Sequence, residues 1–209
     1  LGTDLKRIEI VADDVDAIGD AVVRCHKLCD HVFTSGGVGP THDDLTLPAI
    51  AKAFGVRALR HPELERLLRG FYGERVTDAH LRMTELPEGA TLSGTDPHQW
   101  PVVEFRNVFI LPGVPSIFRK KFCAMRQRFA GIPLIVRRLT CEMDEGDLAA
   151  HLHATLRAHP DVAIGSYPQF QCTPFCVLVT LQSRTPSTVD AATQDLAARL
   201  GPDVVVGRA

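Results

Sequence analysis

Residues Phe33–Thr46 read FTSGGVGPTHDDLT. The stretch follows a short apolar run and gathers three glycines, a Gly-Pro, a histidine and two adjacent aspartates. A turn between two elements needs only one or two such residues. A strand feeding Gly36-Gly37-Val38-Gly39 presents backbone N–H groups with no side chains in the way, and successive N–H groups form a concave anion nest. The helix expected to begin near Leu47, N-capped by Thr46, adds its positive end. Phosphate is the natural guest. Asp43 and Asp44 would repel it unless a divalent cation sits between carboxylate and phosphate, as magnesium commonly does. The alternative is that the two aspartates only cap the helix and favour its dipole. The glycines are not a dinucleotide fingerprint, because a third glycine at the right spacing is missing. They are not a Walker loop either, because no Gly-Lys-Ser/Thr follows.

Around this loop the pattern alternates strands and helices. Asp4–Val11 reads as a strand through Leu5, Ile8 and Ile10. A helix follows, capped by Asp13 or Asp14 and running to about Cys29. Its apolar residues Val15, Ile18, Val22, Cys25 and Cys29 step by three or four. His31–Ser35 is the strand that enters the glycine loop. The helix from Thr46 stops at Gly55 after Phe54. Helices are expected over Pro62–Phe71 and Val76–Leu86, and a hairpin over Val102–Phe105 and Val108–Leu111 that turns at Arg106-Asn107. Leu111–Pro115, LPGVP, ends that strand and opens a helix to Phe129. This order predicts an α/β layer sandwich with a mainly parallel sheet. Such sheets bind ligands at the carboxyl ends of their strands, where both glycine loops leave.

From about Gly131 the pattern changes. Strand Ile132–Cys141, helix Asp144–Ala158, strands Val162–Tyr167 and Phe175–Gln182, helix Pro186–Leu200 and strand Val204–Val206 give β-α-β-β-α-β. That is the split arrangement of a small ferredoxin-like α+β domain. The expected boundary lies at Gly131–Pro133, giving domains 1–130 and 131–209.

Composition bounds the function. The 209 residues are 45% hydrophobic and 23% charged, with 23 Lys and Arg against 25 Asp and Glu, a net charge of −2. That balance argues against a nucleic-acid partner, which asks for a basic face. No apolar run approaches the ~20 residues of a membrane span, and no signal segment opens the chain. Six cysteines in a chain of this length read as reduced thiols of a cytoplasmic protein. Cys25 and Cys29 fall on the apolar face of their helix, so buried small side chains are favoured over zinc ligands. Cys172 and Cys176 have no second ligand pair nearby in sequence. The basic run Arg119, Lys120, Lys121, Arg126 and Arg128 reads as a solvated helix face, with an anionic adenylate contact as the other option. Trp100 packs under its loop or stacks on a flavin or adenine ring.

TSGGVGPTHDDLT followed by AIAKAFG resembles the molybdopterin-binding family. The resemblance is closer to the branch that contains competence/damage-inducible (CinA-like) proteins and the molybdopterin-binding-like domain of FAD synthase. GTDPHQWPVVEFRNVFILPGVP (Gly94–Pro115), the helix after it and GSYPQF (Gly165–Phe170) match the FAD-synthase side. The likeness covers nearly the whole chain. It implies a three-layer α/β/α sandwich plus the ferredoxin-like domain. It implies Asp44 as the shared functional carboxylate and Asp43 as particular to the pyrophosphatase-like branch. Gly36, Gly37, Gly39 and Thr41 match the phosphate- or pterin-facing loop, Pro112 and Gly113 the second loop, and Thr95 and Asp96 a ligand-side loop. The family opens with a strand, a Gly-Asp-Glu motif and a helix that do not precede Leu1 here. The expectation is therefore a sheet short of a strand and a site short of a carboxylate.

The implied activity is metal-dependent cleavage of a nucleotide diphosphate bond, of FAD to FMN and AMP or of an ADP-ribose-like substrate. Asp44 and Asp43 are the metal ligands for Mg, Mn or Co, and His42 is a candidate base. The alternative is a non-catalytic module that holds a pterin or nucleotide. The family resemblance also implies self-association into a homo-oligomer.

Overall fold

A computed structural model of the protein describes residues 1–94, 100–169 and 176–208. The chain divides into two compact units, one of Asp4–Phe129 and one of Leu1–Thr3 with Ala130–Ala209. Leu1 joins the second unit through its carbonyl, which accepts from Gly131 N–H at 2.8 Å.

The first unit begins with a difference from expectation: Asp4–Val11 forms no strand. Leu5, Ile8 and Ile10 are 79%, 73% and 95% exposed. Their spacing does not alternate, and a lone β-segment without a paired neighbour is not stable in water. Glu9 is instead held by Arg7 and Arg24, each at 2.7 Å. Helix α1 (Val15–Leu28) starts where Asp14 accepts from Asp16 N–H and Ala17 N–H, and it buries Ile18 and Val22. Strand β1 (Val32–Ser35) follows, then helix α2 (Thr46–Ala53). Ile50 of α2 is fully buried, and cutting it to alanine is expected to cost about 2–5 kcal/mol.

Strand β2 (Ala58–Arg60), helix α3 (Pro62–Tyr72) and helix α4 (Asp78–Arg82) come next. The helix expected to run to Leu86 is cut short. Thr77 and His80 form a capping box at its start. At its end the buried Thr84 hydroxyl donates to Leu81 O at 2.6 Å, closing the last turn. Leu86 then lies in strand β3 (Glu85–Pro87), antiparallel to β2.

Strands β4 (Thr91–Ser93), β5 (Val102–Phe105) and β6 (Val108–Leu111) complete the main sheet, in the order β1-β6-β5-β4. The β5–β6 hairpin turns where expected, and Arg106 takes the positive φ of 55° that a tight hairpin turn requires of its first central residue. The sheet is mixed: β1 and β6 are parallel, with Ser35 opposite Leu111, and β5 and β4 run antiparallel. Successive side chains point to opposite faces. Val103, Phe105, Val108 and Ile110 pack with α1 and α2, while Val102, Phe109 and Leu111 pack with Phe33, Met125 and Phe129. Helix α5 (Pro115–Met125) and a short 3-10 turn (Arg126–Phe129) supply that second face. The result is the three-layer α/β/α sandwich.

The second unit follows the order β7 (Ile135–Cys141), α6 (Glu145–Ala158), β8 (Ala163–Gln169), β9 (Cys176–Ser183), α7 (Pro186–Leu200) and β10 (Val205–Arg208). Its sheet is antiparallel throughout, in the order β10-β7-β9-β8, the ferredoxin-like arrangement. Val189, Ala192, Leu196 and Leu200 of α7 repeat at helical spacing and join Leu139, Val179 and Leu181 in its core. Among the described residues no helix is long and apolar enough to cross a membrane.

Candidate functional site

Because β1 and β6 are parallel and in register, their carboxyl ends release two glycine loops side by side. Gly36 N–H donates to Leu111 O at 3.0 Å, extending the ladder by one bond beyond Ser35. Gly36 and Gly37 then take positive φ of 100° and 65°, which turns the chain away from the sheet at no steric cost. Helix α2 anchors the loop from behind. Thr46 N–H donates to Gly37 O at 2.9 Å, and the Thr46 hydroxyl donates to Gly36 O at 2.9 Å. Thr46 is therefore the first residue of α2 and a brace for the loop, not an N-cap. Leu45 occupies the cap position without a side-chain bond. Neither aspartate caps the helix.

Asp44 organises the loop from within. Its Oδ2 accepts from Thr41 N–H at 2.8 Å and from the Thr41 hydroxyl at 2.6 Å. A Cβ on Gly39 would lie 2.6 Å from the same oxygen, so glycine is needed there for the carboxylate to fit. Burial pushes the Asp44 carboxyl up, but the Thr41 hydroxyl and the N–H groups of Gly39 and Thr41 outweigh it and hold the group below the ordinary aspartate value. The anion nest is thus narrower than four residues. Gly36 and Gly39 N–H are engaged, while those of Gly37 and Val38 take no acceptor among the described residues.

Two cavities meet at this loop. The larger, about 470 Å³, is lined by Gly36–Gly39, Asp44, Pro112 and Gly113, with walls from Trp100, Val103, Ile110, Val114 and Ile117. The smaller, about 210 Å³, takes Thr41 and His42 with Ala58, Arg82 and Glu85. Asp43 lines neither cavity and its side chain is 60% exposed, 3.9 Å from that of His42, which is 97% exposed. The Thr41 hydroxyl and its own backbone N–H hold the Asp43 carboxyl below its ordinary value. Asp44 lines both cavities and Asp43 neither, so Asp44 is the carboxylate of the pair that faces them. Thr95 and Asp96 lie outside the described residues.

Replacing Gly37 by valine reads from the sequence as an obstruction to phosphate. A Cβ there would also lie 2.3 Å from the Thr46 hydroxyl oxygen, so the small loss of fold expected of that substitution is corrected: it strikes the brace behind the loop.

The basic run of α5 reads from the sequence as a solvated helix face, and at Lys121 the structure corrects this. Its ammonium donates to Trp100 O and, at 3.1 Å, to Pro101 O, and it lines the larger cavity. Burial, with Lys120 beside it, lowers it from 10.5 to about 8. The signal was present, since Ile117 and Lys121 stand four apart on one helix face. Trp100 both packs against the core and lines the cavity. Cys25 and Cys29 are free thiols packed against the core.

Residues 1–129 match the family model described as "Probable molybdopterin binding domain", and residues 133–209 match "FAD synthase, middle domain". A protein of Archaeoglobus fulgidus is 30% identical, covering 91% of this chain and 81% of its own. A "Probable FAD synthase" of Caenorhabditis elegans is 28% identical over 98% of this chain, which spans only 45% of that protein. The crystal structure of the protein CinA from Thermoplasma acidophilum superposes with a TM-score of 0.51 at 29% identity, covering 56% of this chain and 73% of that one.

Proposed function

We propose, for a chain that belongs to the molybdopterin-binding domain family and continues into an FAD synthase middle domain, that it binds an adenine dinucleotide and hydrolyses its diphosphate. FAD would give FMN and AMP. Water forms the new P–O bond, the P–O–P bridge breaks, and the leaving phosphate keeps the electron pair. The observation that carries this reading is the joining of a glycine anion site, a carboxylate and a largely apolar cavity at the ends of two parallel strands.

The chain's own residues divide the work. Gly37 and Val38 N–H donate to the phosphate oxygens and steady the charge developing on phosphorus. Trp100, Ile117 and Val114 shield an apolar ring from water. His42, open to solvent at the rim of the smaller cavity, accepts a proton from the attacking water. Asp44 and Asp43 would hold a divalent cation, which supplies neutralising charge at the diphosphate.

A non-catalytic binding module is favoured by two observations. Asp44 Oδ2 is already engaged by Thr41, and among the described residues no group of three or more His, Cys, Asp or Glu is placed to hold a metal. The test is to incubate FAD with the protein and Mg, Mn or Co in turn and identify products by mass. FMN and AMP in equal amounts support the hydrolase. Bound FAD that stays intact with every metal supports the binding module.

A further inference from the structure

The two cavities are not separate sites. They share Gly37, Val38, Gly39, Asp44, Leu47 and Met83, so the proposed anion site and its carboxylate belong to both. Beyond that common border their chemistry differs. The larger is walled by Trp100, Val103, Ile110 and Ile117, with Lys121 as its cation among the described residues. The smaller is polar-edged. Arg82 donates to Pro40 O at 3.2 Å, and Glu85 pairs with Arg60 at 3.5 Å. The larger has the size of a whole-ligand pocket, roughly 300–1,000 Å³, and the smaller falls below it. A pocket of that lesser size takes a part of a ligand.

We infer that the site is two chambers hinged on the glycine loop, built for a ligand with two unequal ring heads joined through a diphosphate. The larger, flatter and more apolar head lies against Trp100 and Ile117, and the smaller purine head lies between Ala58 and Arg82. This rests on the diphosphate reading above and deepens it, because it assigns each head and names Ala58, Arg82, Ile117 and Lys121 as specificity residues. A dinucleotide of flavin and adenine fills both chambers. A mononucleotide or a pterin phosphate fills one.

Chamber-filling variants test it without turnover. Ala58 is exposed on β2, and Ile117 is 44% exposed on α5, so a larger side chain at either position fills its chamber without entering the core. Binding of FAD, riboflavin and adenosine is measured in EDTA for wild type, Ala58→Phe, Ile117→Trp and the double variant, with thermal melts as a check on folding. Riboflavin and adenosine lack the phosphates that would compete for the loop. Each single variant should weaken FAD by about tenfold or more, and the double variant by about the product of the two. Ala58→Phe should spare riboflavin, Ile117→Trp should spare adenosine, and saturating adenosine should leave riboflavin bound. Should either filling variant unfold, Arg82→Met and Lys121→Met take its place with the same expected division. The inference is overturned if FAD affinity is unchanged in either chamber's variant, or if adenosine displaces riboflavin. Loss of the hydrolase reading alone would appear differently, as intact FAD with every metal while the two heads still bind together.

Discussion

A Cβ on Gly113 would lie 3.1 Å from the Cα of Gly36, backbone against backbone across the ends of β6 and β1. The two loops of the site therefore meet closely enough that a Cβ on Gly113 is a tight contact, whereas one on Gly36 would lie at an ordinary 3.8 Å from the Gly113 Cα. Gly113→Ala must push them apart by a few tenths of an ångström. The expected result is a stability loss of about 1–2 kcal/mol, typical of overpacking, together with weaker FAD binding. Denaturant midpoints and a binding titration read the two effects. Wild-type affinity in this variant would contradict the close approach.

Gly37→Ala combines a positive φ of 65° with a contact of 2.3 Å to the Thr46 hydroxyl. We expect it to destabilise the first unit by roughly 2 kcal/mol, within the range for strained backbone positions. Thr46→Ala alone should cost about 1 kcal/mol through the lost bond to Gly36 O. The double variant should cost less than the sum, because removing the hydroxyl relieves the contact. Strict additivity in urea unfolding would show that Gly37 does not press on Thr46.

Thr41 is the lever on Asp44. Since the folded-state value of the Asp44 carboxyl is lowered from 3.8, its contribution is fully present above that value and is lost as pH falls through the lowered one. Thr41→Val removes the hydroxyl donor. It should cost about 0.5–1.5 kcal/mol at pH 7, and the gap to wild type should close on acidification below pH 4. A gap that stays constant to pH 2 would place the effect elsewhere.

Lys121 runs in the opposite sense. Burial lowers it from 10.5 to about 8, so between those values the unfolded chain binds more protons and wild-type stability gains as pH rises. Lys121→Met lacks this gain. The stability difference should therefore move in favour of wild type from pH 7 to pH 10, and a flat difference would mean that Lys121 is not held in the cavity wall.

Much of this was legible in the sequence because it rests on local signals. The steps of three and four in α1, the β5–β6 turn and the glycines after two apolar runs each name their element. What was not legible depends on partners distant in sequence. Leu5, Ile8 and Ile10 look like strand residues, yet strand formation needs a neighbour that sequence spacing does not reveal. Leu86 looks helical until the Thr84 hydroxyl closes the turn before it. Glycines 36, 37 and 39 were all read as ligand-facing. That a Cβ would also strike Thr46 at Gly37 and Asp44 at Gly39 depends on partners the local pattern does not reveal. Lys121 was submerged in a basic run, and its burial under Trp100 and Pro101 is a tertiary fact.

The central claim is that Asp44 serves diphosphate cleavage as well as loop shape. The most direct measurement compares Asp44→Asn with wild type, following AMP release from FAD with saturating magnesium, manganese or cobalt, alongside FAD affinity. Asparagine keeps an oxygen to accept from Thr41 but removes the charge. FAD should still bind within a few-fold and AMP release should fall by about 100-fold or more, as expected when charge at a transferring phosphoryl group is left unbalanced. AMP release by Asp44→Asn at the wild-type rate would contradict it.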